Sequence, residues 1–173
     1  SPYRPVKAEI ACVLTGGCFV TEKDLFKRTV AQITDGCVIC YKYFDFGEDY
    51  SSKTMELAVK VTGMGCKGLL HVFIDGYKTD ADEATEITGD AGENVSIEEV
   101  VEYSSVTGGT PRTEIGTVEI GLGDGIYRGR VKNVTGRHAV YFKADLNLPK
   151  DVWTTKFFNG RVICELEEFV FLK

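Results

Sequence analysis

Two patterned stretches, far apart in the chain, constrain the fold most. One runs Gly36-Cys37-Val38-Ile39-Cys40-Tyr41-Lys42-Tyr43-Phe44-Asp45-Phe46-Gly47. The other is Thr135-Gly136-Arg137-His138-Ala139-Val140-Tyr141-Phe142-Lys143, answered near the C-terminus by Cys164-Glu165-Leu166-Glu167-Glu168-Phe169-Val170-Phe171. β-Branched and aromatic residues, period-2 alternation and bounding Gly or Asp-Gly turns are strand signals. The same reading predicts strands at Val6–Val13, Phe26–Ile33, Val38–Phe46, Thr54–Val61, Gly68–Ile74, Glu114–Ile120, Tyr127–Val134, His138–Lys143 and Val162–Phe171. Many short strands with no long helical period imply an all-β chain, an antiparallel β-sandwich of jelly-roll type. The one helical signal is a capping-box pattern at Ser96-Ile97-Glu98-Glu99.

At 173 residues the chain reads as a single domain over 1–173, interrupted by a long acidic insertion around 77–112. Residues 79–104 carry nine acids and no Lys or Arg; the rest holds 20 bases against 17 acids, so the net charge of −6 belongs to that segment. Nothing here makes the basic footprint of a nucleic-acid binder, and no apolar run approaches the ~18 residues of a membrane span. Ser1–Lys7 carries no signal peptide and reads as the start of an excised fragment.

Six cysteines stand at 12, 18, 37, 40, 66 and 164. Cys37 and Cys40 form a C-x-x-C, but three residues apart on a strand places them on opposite faces. No second ligand pair completes a zinc site. The expectation is reduced, mostly buried thiols, with Cys12–Cys18 the nearest local pair were a disulfide to form. Free thiols suit a cytoplasm or anaerobic surroundings, which leaves a secreted or cell-surface module of an anaerobe and a cytoplasmic protein both open.

The last strand changes phase. Cys164 and Leu166 share one face, whereas Phe169 and Phe171 fall on the other, so the apolar register slips at Glu167-Glu168. A β-bulge does this, because one extra residue flips the face that follows.

On these residues the chain resembles a family 6-type carbohydrate-binding module, the jelly-roll accessory domain of glycoside hydrolases. Val6-Lys-Ala-Glu9 is similar to the family's opening acidic strand. Ile33-Thr-Asp-Gly36, Tyr41-Lys42 and Phe44-Asp-Phe-Gly47 resemble its "I-x-x-G…Y-K…D-F-G" strands. Gly68-Leu-Leu-His-Val-Phe-Ile-Asp-Gly76, Ile115-Gly-Thr-Val-Glu119, Thr135-Gly-Arg-His138 and Leu166-Glu-Glu-Phe-Val-Phe171 follow in the same order, over about 165 residues. The resemblance implies a non-catalytic module that targets a glycan-degrading enzyme to poly- or oligosaccharide, its partners being that glycan and a catalytic domain of the same parent chain. The alternative is a structural or interaction module of a glycoside hydrolase that has lost sugar binding.

The resemblance also implies a structural calcium between the opening and closing strands, with Glu9 and Glu167 as ligands. Lys7 stands at the companion acidic position, so Lys7 bridging Glu9 and Glu167 in place of the metal is the competing expectation. The family's sugar site implies two aromatics and an Asn in loops at one end. Here Gln32 takes the first aromatic position, Tyr127 is the nearest to the second, and Glu165 aligns with the Asn. The loop from Ala144 to Gly160 adds Trp153, Phe157, Phe158 and Asn159. An aromatic face packs on the C–H face of a sugar, and polar groups read its hydroxyl rim. Trp153 and Tyr127 are therefore expected to stack, and Gln32 and Glu165 to contact hydroxyls. A small satellite core at the barrel end is the other reading of Trp153 and the two phenylalanines. The two histidines lie inside strands, no nucleophile elbow or phosphate loop is present, and His138 is expected to serve structure.

Overall fold

A computed structural model describes residues 1–49, 51–62, 65–77 and 113–173. The capping-box pattern at Ser96 and most of the acidic insertion lie outside the described residues. The strands are β1 (Val6–Lys7), β2 (Val13–Leu14), β3 (Phe19–Asp24), β4 (Lys27–Ile33), β5 (Val38–Asp45), β6 (Thr54–Thr62), β7 (Gly68–Ile74), β8 (Thr113–Ile120), β9 (Gly125–Lys132), β10 (Arg137–Asp145) and β11 (Cys164–Leu172). One helix, α1 (Val152–Phe158), joins β10 to β11. None of the described helices is long and apolar enough to cross a membrane.

The ladder runs β2-β5-β10-β7-β8-β9-β6-β11-β4-β3, with β1 beside β11. All the pairings are antiparallel. Its middle link is thin: β8 and β9 share the single pair Gly116↔Val131. There the sheet turns its corner, and Gly129 permits the approach, because a Cβ on it would run into the Thr117 carbonyl. The folded-over layers meet through aromatics. Phe169 of β11 packs edge-on against Tyr41 of β5 at 4.8 Å and Phe142 of β10 at 5.0 Å. This is the antiparallel sandwich that the alternation predicts.

Three local departures have clear causes. The opening stretch is not one strand: Val6–Lys7 pairs with β11, a 3-10 turn at Ala8–Ile10 crosses over, and Val13–Leu14 pairs with β5. The crossing is pinned by the Tyr41 hydroxyl, which donates to the Ala8 carbonyl at 3.0 Å. Strand β3 lacked a sequence signal because it is an edge strand with almost no buried residue. Helix α1 starts at Asp151, whose side chain accepts from the Thr154 amide at 2.9 Å and the Thr154 hydroxyl at 2.6 Å.

The phase slip in the last strand is a bulge: Leu166 pairs with Val61 but Glu168 with Lys60, leaving Glu167 as the extra residue on β11. Leu166, Phe169 and Phe171 are all buried as a result. A second irregularity lies across β11, where Cys164 pairs with Ile33 and Leu166 with Val30. The extra residue is now on β4, and Gln32 there adopts the left-handed backbone conformation, φ 55°.

Cys37 and Cys40 do face opposite ways. Cys37 joins the main core, while Cys40 joins a second cluster on the other face of β5, with Val38, Phe73, Ala139 and Tyr141. That double burial explains why this stretch reads as a run of apolar residues. All six cysteines are free thiols, four of them buried. Cys12 lies against Cys40 and not against Cys18, whose thiol donates to the Thr15 carbonyl at 3.2 Å.

Candidate functional site

Antiparallel pairing brings the ends of β4, β6, β8 and β10 to the starts of β5, β7, β9 and β11 at one end of the sandwich. Loop bonds tie this end together: Gly36 donates to the Ala144 carbonyl at 2.8 Å, Ile163 to Ile33 at 2.8 Å, and Cys66 to Val162 at 3.3 Å. The segment from Leu146 to Val162 therefore lies over this end.

A cleft of about 570 Å³ at this end is lined by Lys67, Leu69, Glu119, Tyr127, Asn147, Leu148 and Phe158, among others. Tyr127 is half-buried in its wall, and its hydroxyl donates to the Gly123 carbonyl at 2.8 Å, with the Leu122 carbonyl a second acceptor for the same proton at 3.2 Å. That bond holds the ring in place. Across the 145–160 segment a second cleft of about 220 Å³ is lined by Asp35, Asp145, Lys150, Thr154, Phe158 and Asn159 with their neighbours. Phe158 lines both.

Trp153 is 81% exposed and Phe157 68% exposed, one helical turn apart on α1. They share a face at spacing i, i+4. Arg161 lies over the Phe157 ring at 5.5 Å. The satellite-core reading thus fails for Trp153 and Phe157 and holds only for half-buried Phe158. Asp151 followed by Thr154 was the capping signal that could have placed this helix from the sequence.

Gln32 and Glu165 line neither of these two clefts. Gln32 is exposed near the end of β4. Glu165 is engaged elsewhere: its carboxylate pairs with Lys23 at 2.8 Å and accepts from the Thr29 hydroxyl at 3.0 Å. The structure therefore brings Tyr127 into a cleft and Trp153 onto an open helix face, and holds Glu165 on the sheet surface between β3, β4 and β11.

The opening-to-closing strand site has also taken a different form. Glu167, 8% exposed, accepts from Lys60 at 2.7 Å and pairs with Lys27 at 3.0 Å. Burial opposes its charge, but the hydrogen bonds from Lys60 and Lys27 prevail and hold its pKa below the ordinary carboxylate value. Lys7 does not bridge Glu9 and Glu167; it pairs with Glu168 at 2.7 Å. Glu9 sits half-buried in the 3-10 turn. Calcium needs several oxygen ligands and carries positive charge itself. Two ammonium groups already hold Glu167, and among the described residues no group of three His, Cys, Asp or Glu side chains is placed to hold a metal ion. The donor set does not fit calcium.

Both histidines are fastened to carboxylates. His138 Nδ1 lies 2.6 Å from buried Asp75, and its Nε2 lies 2.8 Å from the Thr135 carbonyl. The other Asp75 oxygen accepts from the Ala139 amide at 3.2 Å, so the group locks the start of β10 to the turn after β7. His71 sits between Glu114 at 2.7 Å and Asp145 at 2.8 Å. Burial works against its charged form, but hydrogen bonds to Glu114 and Asp145 outweigh this and raise its pKa. Neither ring has a nucleophile among these partners.

Comparison with solved structures decides what the scaffold is. A family 6 carbohydrate-binding module of Clostridium cellulolyticum, in complex with xylose, is similar at a TM-score of 0.62 and 16% identity, over 99% of this chain and 98% of that one. The fold is that of the family 6 carbohydrate-binding modules. A second module, from Clostridium stercorarium in complex with cellobiose, gives a TM-score of 0.60 at 13% identity, over 99% and 95% of the chains. A family 43 arabinoxylan arabinofuranohydrolase from Bacillus subtilis, in complex with cellotetraose, gives 0.59 at 15% identity, over 99% of this chain and 27% of that larger one. No family model matches the sequence. No curated protein matches it either. At these identities the likeness is one of fold. The family 6 neighbours are binding modules and not catalytic domains.

Proposed function

We propose that this family 6-type sandwich is a non-catalytic carbohydrate-binding module. The observation that carries the proposal is the aromatic end of the sandwich: an open Trp153–Phe157 face beside a cleft walled by Tyr127 and Phe158. Sugar rings offer flat C–H faces to such planes, while Lys67, Glu119 and Asn147 supply donors and acceptors for the hydroxyl rim. Tyr127, its ring held through its hydroxyl to the loop carbonyls of residues 122 and 123, is preorganised to bind with little loss of freedom. Gln32, exposed near the end of β4, serves as a polar contact at the rim of this end. Glu165 is held by Lys23 and Thr29 and offers a hydroxyl only its remaining lone pairs.

The ligand class is a β-linked poly- or oligosaccharide, supported by similar modules that hold xylose and cellobiose. The partner is a catalytic domain of the same parent chain, supported by the arabinofuranohydrolase that carries such a sandwich as 27% of its length. In this chain Lys27 and Lys60 do the electrostatic work that a calcium ion would do, by neutralising Glu167 at the bulge. The test is retardation of the protein in native gels containing xylan or a soluble cellulose derivative. The expected result is slower migration in at least one; unretarded migration in every polysaccharide would overturn the proposal.

A second reading is favoured by Gln32 and Glu165, which leave two stacking and hydroxyl-reading positions without their usual residue types, Glu165 being tied down besides. On that reading the module packs on a catalytic domain and has lost the sugar. Sugar binding by the isolated chain rejects it.

A further inference from the structure

Cys12 directly precedes β2, a two-residue strand at the edge of the ladder. Its amide donates to the Cys40 carbonyl at 2.8 Å, its thiol donates to that same carbonyl at 3.2 Å, and its Sγ lies 3.6 Å from Cys40 Sγ. Two sulfurs so placed need only close to the ~2.05 Å of a disulfide, a movement within reach of χ1 rotation. The two backbones are already joined side by side by that amide-to-carbonyl hydrogen bond. Cys12 is exposed and can meet a reagent from solution, whereas Cys40 is fully buried in the second apolar cluster.

We propose that Cys12 and Cys40 are a built redox pair whose disulfide staples the N-terminal segment to β5. The oxidant is a small-molecule disulfide. The Cys12 thiolate attacks it, a Cys12–S–S bond to the small molecule forms, the original S–S bond breaks, and one thiol leaves. The Cys40 thiolate then attacks Cys12 Sγ, the Cys12–Cys40 bond forms, and the second small thiol leaves. The balance is two protein thiols and one disulfide giving one protein disulfide and two small thiols. Burial pushes the Cys40 thiol up to about 12, which makes the second step the slow one and protects the pair from casual oxidation.

The structural consequence is specific. Short edge strands near a terminus fray first. Residues 12 and 40 are 28 apart in sequence, so the bond closes a loop of moderate length and restrains the unfolded chain. The competing pair is Cys18 and Cys37, both buried; the neighbouring Cys18 is the chief cause drawing the Cys37 thiol below its ordinary value.

The test uses the full chain, reduced and then incubated with oxidised glutathione at mildly alkaline pH. Remaining thiols are alkylated and the peptides mapped by mass spectrometry. The expected result is a Cys12–Cys40 cross-link, a mass lower by two hydrogens, and a melting temperature raised by roughly 5–10 °C. Dithiothreitol should reverse all three. Cys12→Ser should abolish the cross-link and the shift, and Cys18→Ser should keep both. Alkylated Cys12 and Cys40 after oxidation would overturn the proposal. So would a cross-link of Cys12 to Cys18, one confined to Cys18 and Cys37, or an unchanged melting temperature in the oxidised chain.

Discussion

Replacing Trp153 by Ala separates binding from folding more cleanly than any other change. At 81% exposure, only about a fifth of a side chain that buries up to ~250 Å² when enclosed is removed from water, so about 50 Å² is at stake. At about 25 cal/mol per Å² that is about 1 kcal/mol of stability. Alanine is the better helix former by about 0.5 kcal/mol, which offsets half of it. The melting temperature should therefore move by no more than about 2–4 °C. A sugar ring covering the indole face would bury about 80 Å² of apolar surface, or about 2 kcal/mol. Losing it should raise Kd about 30-fold. Isothermal titration with a retained oligosaccharide, beside a circular-dichroism melt, reads both numbers. Unaltered affinity would remove Trp153 from the site. A large fall in melting temperature would mean that Trp153 supports the fold after all.

A chelator should leave the melting temperature unchanged, because Glu167 is neutralised by Lys27 and Lys60; a clear drop in a thermal-shift assay would show a bound metal that stabilises the native state. Glu167 has a depressed pKa when folded, so its contribution is present above its unfolded value near 4.5 and disappears as pH falls through the lower folded value; Glu167→Gln should flatten the acid side of a stability-versus-pH curve. His71 behaves oppositely: its folded pKa is raised above 6.5, so its contribution is complete below that pH and fades as pH rises through the folded value, and His71→Gln should remove this dependence in denaturant melts. Phe169→Ala should cost about 3–5 kcal/mol by urea unfolding, since the ring is buried among Tyr41, Phe44, Phe142 and Phe171.

Some of this was written locally in the chain. Period-2 alternation is a property of neighbouring residues, so most strands, the sandwich and even the bulge at Glu167 could be read from spacing alone. The opposed faces of Cys37 and Cys40 follow from the same period. Helix α1 was legible in principle from Asp151 and Thr154, but a seven-residue helix leaves too short a period to stand out beside loop residues.

The tertiary structure decided everything that depends on which strands become neighbours. Glu167 meets Lys27 and Lys60 because β11 lies between β4 and β6, and Lys7 meets Glu168 because β1 pairs with the same strand. Cys12 finds Cys40, 28 residues away, and not Cys18, 6 away, because β2 pairs with β5. Exposure divided Trp153 from Phe158 within one helix. Sequence fixes the pattern of faces along each strand; strand order, which arises from closing the whole ladder over one core, fixes the charges and thiols that those faces meet.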